Sequence, residues 1–130
     1  MLKKVIIFFS IIIMLVIMGF SIHSIYVNSL KMHVIGTWMI SDTNSDDLTY
    51  TQKYIITKNN IKNQIINVDG SENVYYFGQY KIKLGNRISW PNSDETEYYE
   101  LIYNYREDTL YRIENKQKTS KYTKVVNKVN

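Results

Sequence analysis

The chain opens with an apolar run from Val5 to Ile22 that no water-facing surface can absorb, and its fate decides where every later residue lives. As a helix, those residues rise roughly 27 Å at about 1.5 Å each, close to the hydrocarbon thickness of a bilayer, and Ile25, Tyr26 and Val27 extend the run. Only Ser10, Gly19 and Ser21 interrupt it. All three are small, and a serine in lipid satisfies its hydroxyl by bonding back to its own helix. Residues 1–27 therefore read as a transmembrane helix or signal anchor. Lys3 and Lys4 precede the run, and the positive-inside rule puts that end in the cytoplasm and the rest of the chain outside it. Secretion after signal cleavage is the alternative. Gly19 and Ser21 offer small residues for a protease, but the apolar character continues past them without a polar region, which favours an uncleaved anchor. His23 and His33, the only histidines, fall at a helix end and at the domain entrance, positions that suit an interface better than a metal or catalytic role.

Of the 130 residues about a hundred remain, enough for one small domain. Beyond Lys3 and Lys4 there are 14 basic and 12 acidic residues, a near balance that argues against a nucleic-acid binder, which needs a basic face. There is no cysteine. That excludes disulfides, a thiolate zinc site, a cysteine nucleophile and a lipidated cysteine. The abundance of Lys, Ile and Asn points to a bacterium with an AT-rich genome.

After a link at residues 28–32 the pattern changes from continuous apolar to alternating, the mark of strands. The domain, residues 33–130, reads as eight of them. Val34–Ser41 carries Gly36, Trp38 and Ile40 on one face. Leu48–Ile56 alternates, and Asn59 and Asn60 turn the chain into Ile61–Val68, which Asp69-Gly70 closes as a hairpin. Along Val74–Leu84, Tyr76, Gly78, Tyr80 and Ile82 share a face, with Gly78 a candidate bend. Arg87–Trp90 ends at Pro91, Thr96–Tyr105 is rich in tyrosine, and Thr109–Glu114 and Ser120–Val126 follow. Sequential strands with no helical period between them argue for an antiparallel meander. Pairing the first strand with the last removes both edges and gives a small up-and-down β-barrel, a mainly β fold behind one transmembrane helix. An open or sandwiched sheet is the alternative.

Gly36-Thr37-Trp38 on the first strand, with Gly78-Gln79-Tyr80-Lys81-Ile82 and Ile88 later, resembles the layout of small bacterial lipocalin-like domains over about residues 34–126. The resemblance implies that Trp38 plugs one end of the barrel under a basic side chain from the last strand, Lys121 or Lys124. It also implies a binding protein, recognising a small apolar ligand or an envelope component without catalysis or cofactor. Trp38, Tyr54, Tyr76, Tyr80 and Tyr103 are the candidate ligand-binding residues. The chain is shorter than a true lipocalin and lacks an arginine on its final strand. The alternative is an accessory or immunity-type interaction protein at the cell envelope, its barrel interior filled.

Other constellations weaken on inspection. Asp42, Asn44 and Asp46 open like a calcium loop, but Asp47 stands where glycine is needed and Lys53 where glutamate is. Asp94, Glu95, Glu97 and Glu100 gather carboxylates near one strand, as an acid and base pair would, though such groups commonly form a wet rim. Eleven tyrosines lie beyond the apolar helix. Cross-strand packing accounts for most of them. In Tyr75-Tyr76 and Tyr98-Tyr99 adjacent rings point to opposite faces, so one of each must lie outside, and Trp90 at a strand end is a further candidate for exposure. Lys116, Lys118, Lys121, Lys124 and Lys128 make a basic run that could meet anionic lipid or simply guard an edge.

Overall fold

The computed structural model describes residues 1–42, 50–91 and 96–125. They divide into two compact units, residues 1–33 and 34–130.

The first unit is one helix, α1 (Leu2–Val34), of 33 residues. It is long and apolar enough to cross a membrane or to act as a signal anchor. Its serines behave as the apolar setting demands: Ser10 Oγ donates to the Ile6 carbonyl at 2.8 Å and Ser21 Oγ to that of Ile17 at 3.0 Å. Residues 28–32, expected as a link, are helical. The segment Asn28-Ser29-Leu30-Lys31-Met32 holds no glycine or proline, and Leu, Lys and Met are good helix formers, so nothing local stops the turn already running.

The second unit is an antiparallel, nearly closed β-barrel. Its strands are β1 (Gly36–Asp42), β2 (Tyr50–Ile56), β3 (Asn60–Asn67), β4 (Glu72–Gln79), β5 (Lys81–Lys83), β6 (Arg87–Pro91), β7 (Tyr98–Asn104), β8 (Thr109–Glu114) and β9 (Gln117–Lys124). Their lateral order is β4-β3-β2-β1-β9-β8-β7-β6-β5. The first strand thus pairs with the last, with Trp38 opposite Lys124 and Ile40 opposite Tyr122. The ends of this order are two halves of one stretch. The expected fourth strand is broken at Tyr80, its first half pairing with β3 and its second with β6. Nine strands therefore do the work of eight. Among the described residues β4 has no partner on its second side, and that open seam faces the end of β6. Continuing the pairing of Lys81 with Ser89 would bring Gln79 opposite Pro91, which has no N–H to donate.

Register assigns the faces. Trp38 pairs with Tyr54, Tyr54 with Asn63, Ile88 with Leu101, Trp90 with Tyr99 and Leu110 with Tyr122, so these side chains share the inner surface. Trp38, Tyr54, Ile56, Ile61, Ile88, Trp90, Leu101, Tyr103, Leu110 and Tyr122 are all buried. Four turns use left-handed residues: Gly70 at φ 86° after Asp69, Gly85 and Asn86 at 82° and 58° between β5 and β6, Asp108 at 51° between β7 and β8, and the pair Asn115 and Lys116 at 50° and 63° between β8 and β9.

Candidate functional site

Gly36, at φ 145°, begins β1, and a side chain there would meet Lys124 Cε at 2.7 Å. The missing Cβ lets the Lys124 stem lie across the strand and carry Nζ to 5.2 Å from the centre of the Trp38 ring. The Trp38 indole donates to the Val34 carbonyl at 2.8 Å. Trp38 is thus buried beneath a lysine of the last strand. Lys121 points elsewhere, pairing with Glu107 at 3.6 Å.

The other candidate residues separate. Tyr54 meets the Trp90 ring at 5.5 Å and the Tyr122 ring at 4.9 Å, and Trp38 meets Tyr103 at 6.1 Å, all edge to face. β2 and β6 are not neighbours in the sheet, nor are β1 and β7, so these rings touch across the barrel rather than along its wall. Trp38, Tyr54 and Tyr103 therefore belong to an aromatic packing layer. Trp90, expected outside, is 1 % exposed. β6 runs on through Pro91, and the register that puts Ile88 inward puts Trp90 inward two residues later.

A polar tier adjoins that layer. The Tyr122 hydroxyl donates to Gln52 Oε1 at 2.7 Å, and Gln52 Nε2 donates to the Tyr54 hydroxyl and to Asn63 Oδ1, both at 3.1 Å. Burial raises the phenols of Tyr54 and Tyr122 above their ordinary value, and Tyr122 beside it raises Tyr54 further. Arg112 stands over the Tyr99 ring at 5.6 Å and pairs with Glu114 at 2.9 Å. Tyr103 donates to Asp108 Oδ1 at 2.5 Å, and burial followed by that carboxylate raises its phenol too. All these shifts move away from neutrality, so the phenols serve as neutral hydrogen-bonding groups.

Tyr76 and Tyr80 lie at the seam. There a cleft of about 400 Å³ opens among Tyr76, Gln79, Tyr80, Lys81, Ser89, Pro91 and Tyr98. Tyr76 folds over Gly78, where an added Cβ would stand 2.6 Å from its hydroxyl, and donates to the Gln79 carbonyl at 2.9 Å. The Tyr80 hydroxyl donates to the Thr57 carbonyl at 2.8 Å, tying the β4–β5 break to the β2–β3 turn. Ser89 is 2 % exposed, and its Oγ has no hydrogen-bond partner among the described residues. Sequence reasoning passed over Ser89 because an outward serine in a strand ordinarily faces water.

The outer surface beside the seam is apolar. Tyr75 and Phe77, two residues apart on β4, are 63 % and 67 % exposed. The expected opposition within Tyr75-Tyr76 holds, since Tyr76 is half-buried.

The charged constellations dissolve into local pairs. Glu100 lies 3.5 Å from Lys83 and 3.6 Å from Arg87. Asp94, Glu95, Asn44 and Asp46 fall outside the described residues, as does Lys128. Lys118 sits over the Tyr111 ring at 4.8 Å while Lys124 covers Trp38, so the lysine run is divided between surfaces rather than gathered on one. Among the described residues no three His, Cys, Asp or Glu side chains converge as metal ligands. No family model, no curated protein and no solved structure matches the chain, so the geometry of the barrel alone carries the functional argument.

Proposed function

We propose that the chain is a membrane-tethered, non-catalytic recognition protein of the bacterial cell envelope, its barrel held outside the cytoplasmic membrane by α1. Recognition lies on the outer surface rather than in a calyx. The observation that carries this reading is the contact of rings from opposite walls, Tyr54 on Trp90 and Trp38 on Tyr103, which occupies the space a buried apolar ligand would need. It favours the accessory or immunity-type alternative over a ligand-filled barrel. Lys124 over Trp38 behind Gly36 supports a lipocalin-like origin for the barrel. The exposed strip of Tyr75 and Phe77 beside an unpaired strand edge supplies the kind of surface that docks a partner.

Site-specific photocrosslinking in growing cells tests this, with the probe at Phe77 and, as control, at Thr123. Adducts to envelope proteins from Phe77 and not from Thr123 are expected. Adducts confined to cytosolic proteins, or equal yields from both positions, would refute it. Native mass spectrometry of the detergent-extracted chain addresses the calyx: an apolar molecule retained in stoichiometric amount would restore the ligand-filled barrel.

A further inference from the structure

The seam cleft is built as a binding site, and we propose that its ligand is an acidic sugar: a monosaccharide ring bearing one anionic oxygen, carboxylate or phosphate. The inference rests on the filled-barrel reading only in placing the ligand outside the interior.

Ser89 is the first reason. A hydroxyl 2 % exposed with no partner is a standing cost, and native proteins keep few such groups without cause. Ser89 is among the residues lining the cleft, and its hydroxyl is the one buried side-chain group of that lining without a partner among the described residues. Lys81 is the second. It pairs directly with Ser89 across β5 and β6, so both side chains leave the same face of the sheet, and it forms no ion pair with a described residue. A serine hydroxyl beside an uncommitted ammonium suits an anionic oxygen, because a charged acceptor makes the stronger bond to each. The carboxylate opposite Ser89 in the register, that of Glu100, is already shared by two cations, Lys83 and Arg87.

The walls specify the body that carries the charge. Tyr76, Tyr80, Tyr98 and Pro91 contribute rings to the lining and Gln79 an amide. Such a mixture matches a ring with one apolar face and several hydroxyls better than an alkyl chain. A volume of about 400 Å³ admits one sugar ring with room for its substituents.

The test is calorimetric titration of the full chain in lipid nanodiscs with N-acetylmuramic acid, glucose monophosphate and the neutral N-acetylglucosamine. An acidic sugar should bind at least about ten-fold more tightly than the neutral one, and whichever acid binds better identifies the anion. Ser89→Ala and Lys81→Gln should each weaken that binding by roughly ten-fold, while Lys62→Gln on the outer face of β3 leaves it unchanged. Ser89→Ala removes an unpartnered hydroxyl, so its melting temperature should not fall, which separates lost binding from lost folding. Equal affinity for neutral and acidic sugars, binding indifferent to either substitution, or no binding of any probe would overturn the proposal. Those failures leave the filled barrel standing. An apolar ligand in the interior would overturn the filled barrel instead.

Discussion

At the scale of single residues the barrel turns on Gly36, Trp38 and Lys124. The lysine stem passes where a Gly36 side chain would be and its ammonium lies over the Trp38 ring, so one glycine makes room for one cation–π contact. Gly36→Ala should destabilise the barrel by about 1–3 kcal/mol, from the unfavourable φ and the displaced lysine. Lys124→Ala should cost about 1–2 kcal/mol, from lost stem packing as well as lost charge. Because the second change removes the atom that obstructs the first, the double variant should lose less than the sum. Thermal unfolding followed by tryptophan fluorescence measures all three, and strict additivity would refute the shared contact. The glycine and tryptophan were legible as a motif. The lysine was legible only as one of two, because the register of β9 against β1, with Trp38 opposite Lys124, decides which last-strand lysine faces Trp38, and alternation within one strand does not record that register. Ser89 was not legible at all, since only its burial in the folded barrel makes its hydroxyl unusual.

At the scale of elements, alternation and turn chemistry located every strand, and the main departure is the break of the fourth. Gly78 was the expected bend, yet the pairing changes at Tyr80. Gly78 instead clears space for the Tyr76 ring, while the Tyr80 hydroxyl anchors the corner to the β2–β3 turn. A strand pattern records which face a residue takes, and it does not record where a strand leaves one neighbour for another. The helix overran its expected end for a related reason: hydropathy falls after Val27, but helical propensity does not. Turn chemistry yields a prediction of its own. Asn115 and Lys116 take φ values of 50° and 63° between β8 and β9, the pattern of a type I′ turn. Asparagine tolerates this and lysine does not, so Lys116→Gly should stabilise the barrel by about 1 kcal/mol. A melting temperature unchanged or lowered would show that Lys116 makes a compensating contact.

At the scale of the whole molecule, the aromatic interior makes the fold sensitive to alkali. Burial is the first cause that raises the phenols of Tyr54, Tyr80, Tyr103 and Tyr122, with Tyr122 adding to the shift at Tyr54 and the Asp108 carboxylate adding to that at Tyr103. An acid with a folded pKa above its unfolded value holds its proton more tightly in the folded state. The associated stability is therefore complete below the ordinary phenol value of 10.0 and declines as pH rises beyond it. Below that value the interior feels little of the pH change, because these groups stay neutral in both states. Above it, each phenolate must either be buried without water or be released by opening the barrel, and Tyr54 and Tyr122 share one hydrogen-bonded cluster through Gln52, so neither ionises alone at small cost. These phenols should consequently titrate together with the loss of near-ultraviolet circular dichroism, in one step above pH 10, and not as independent groups. Tyr122→Phe removes the donor to Gln52 Oε1 and leaves a buried acceptor unpaired, which should cost about 1–3 kcal/mol at neutral pH. It should also lower by one the number of phenols released in the alkaline step. Tyrosinate absorbance that rises in full while the dichroism persists would mean that water already reaches these rings, and the barrel would then have the open interior that the ring contacts argue against.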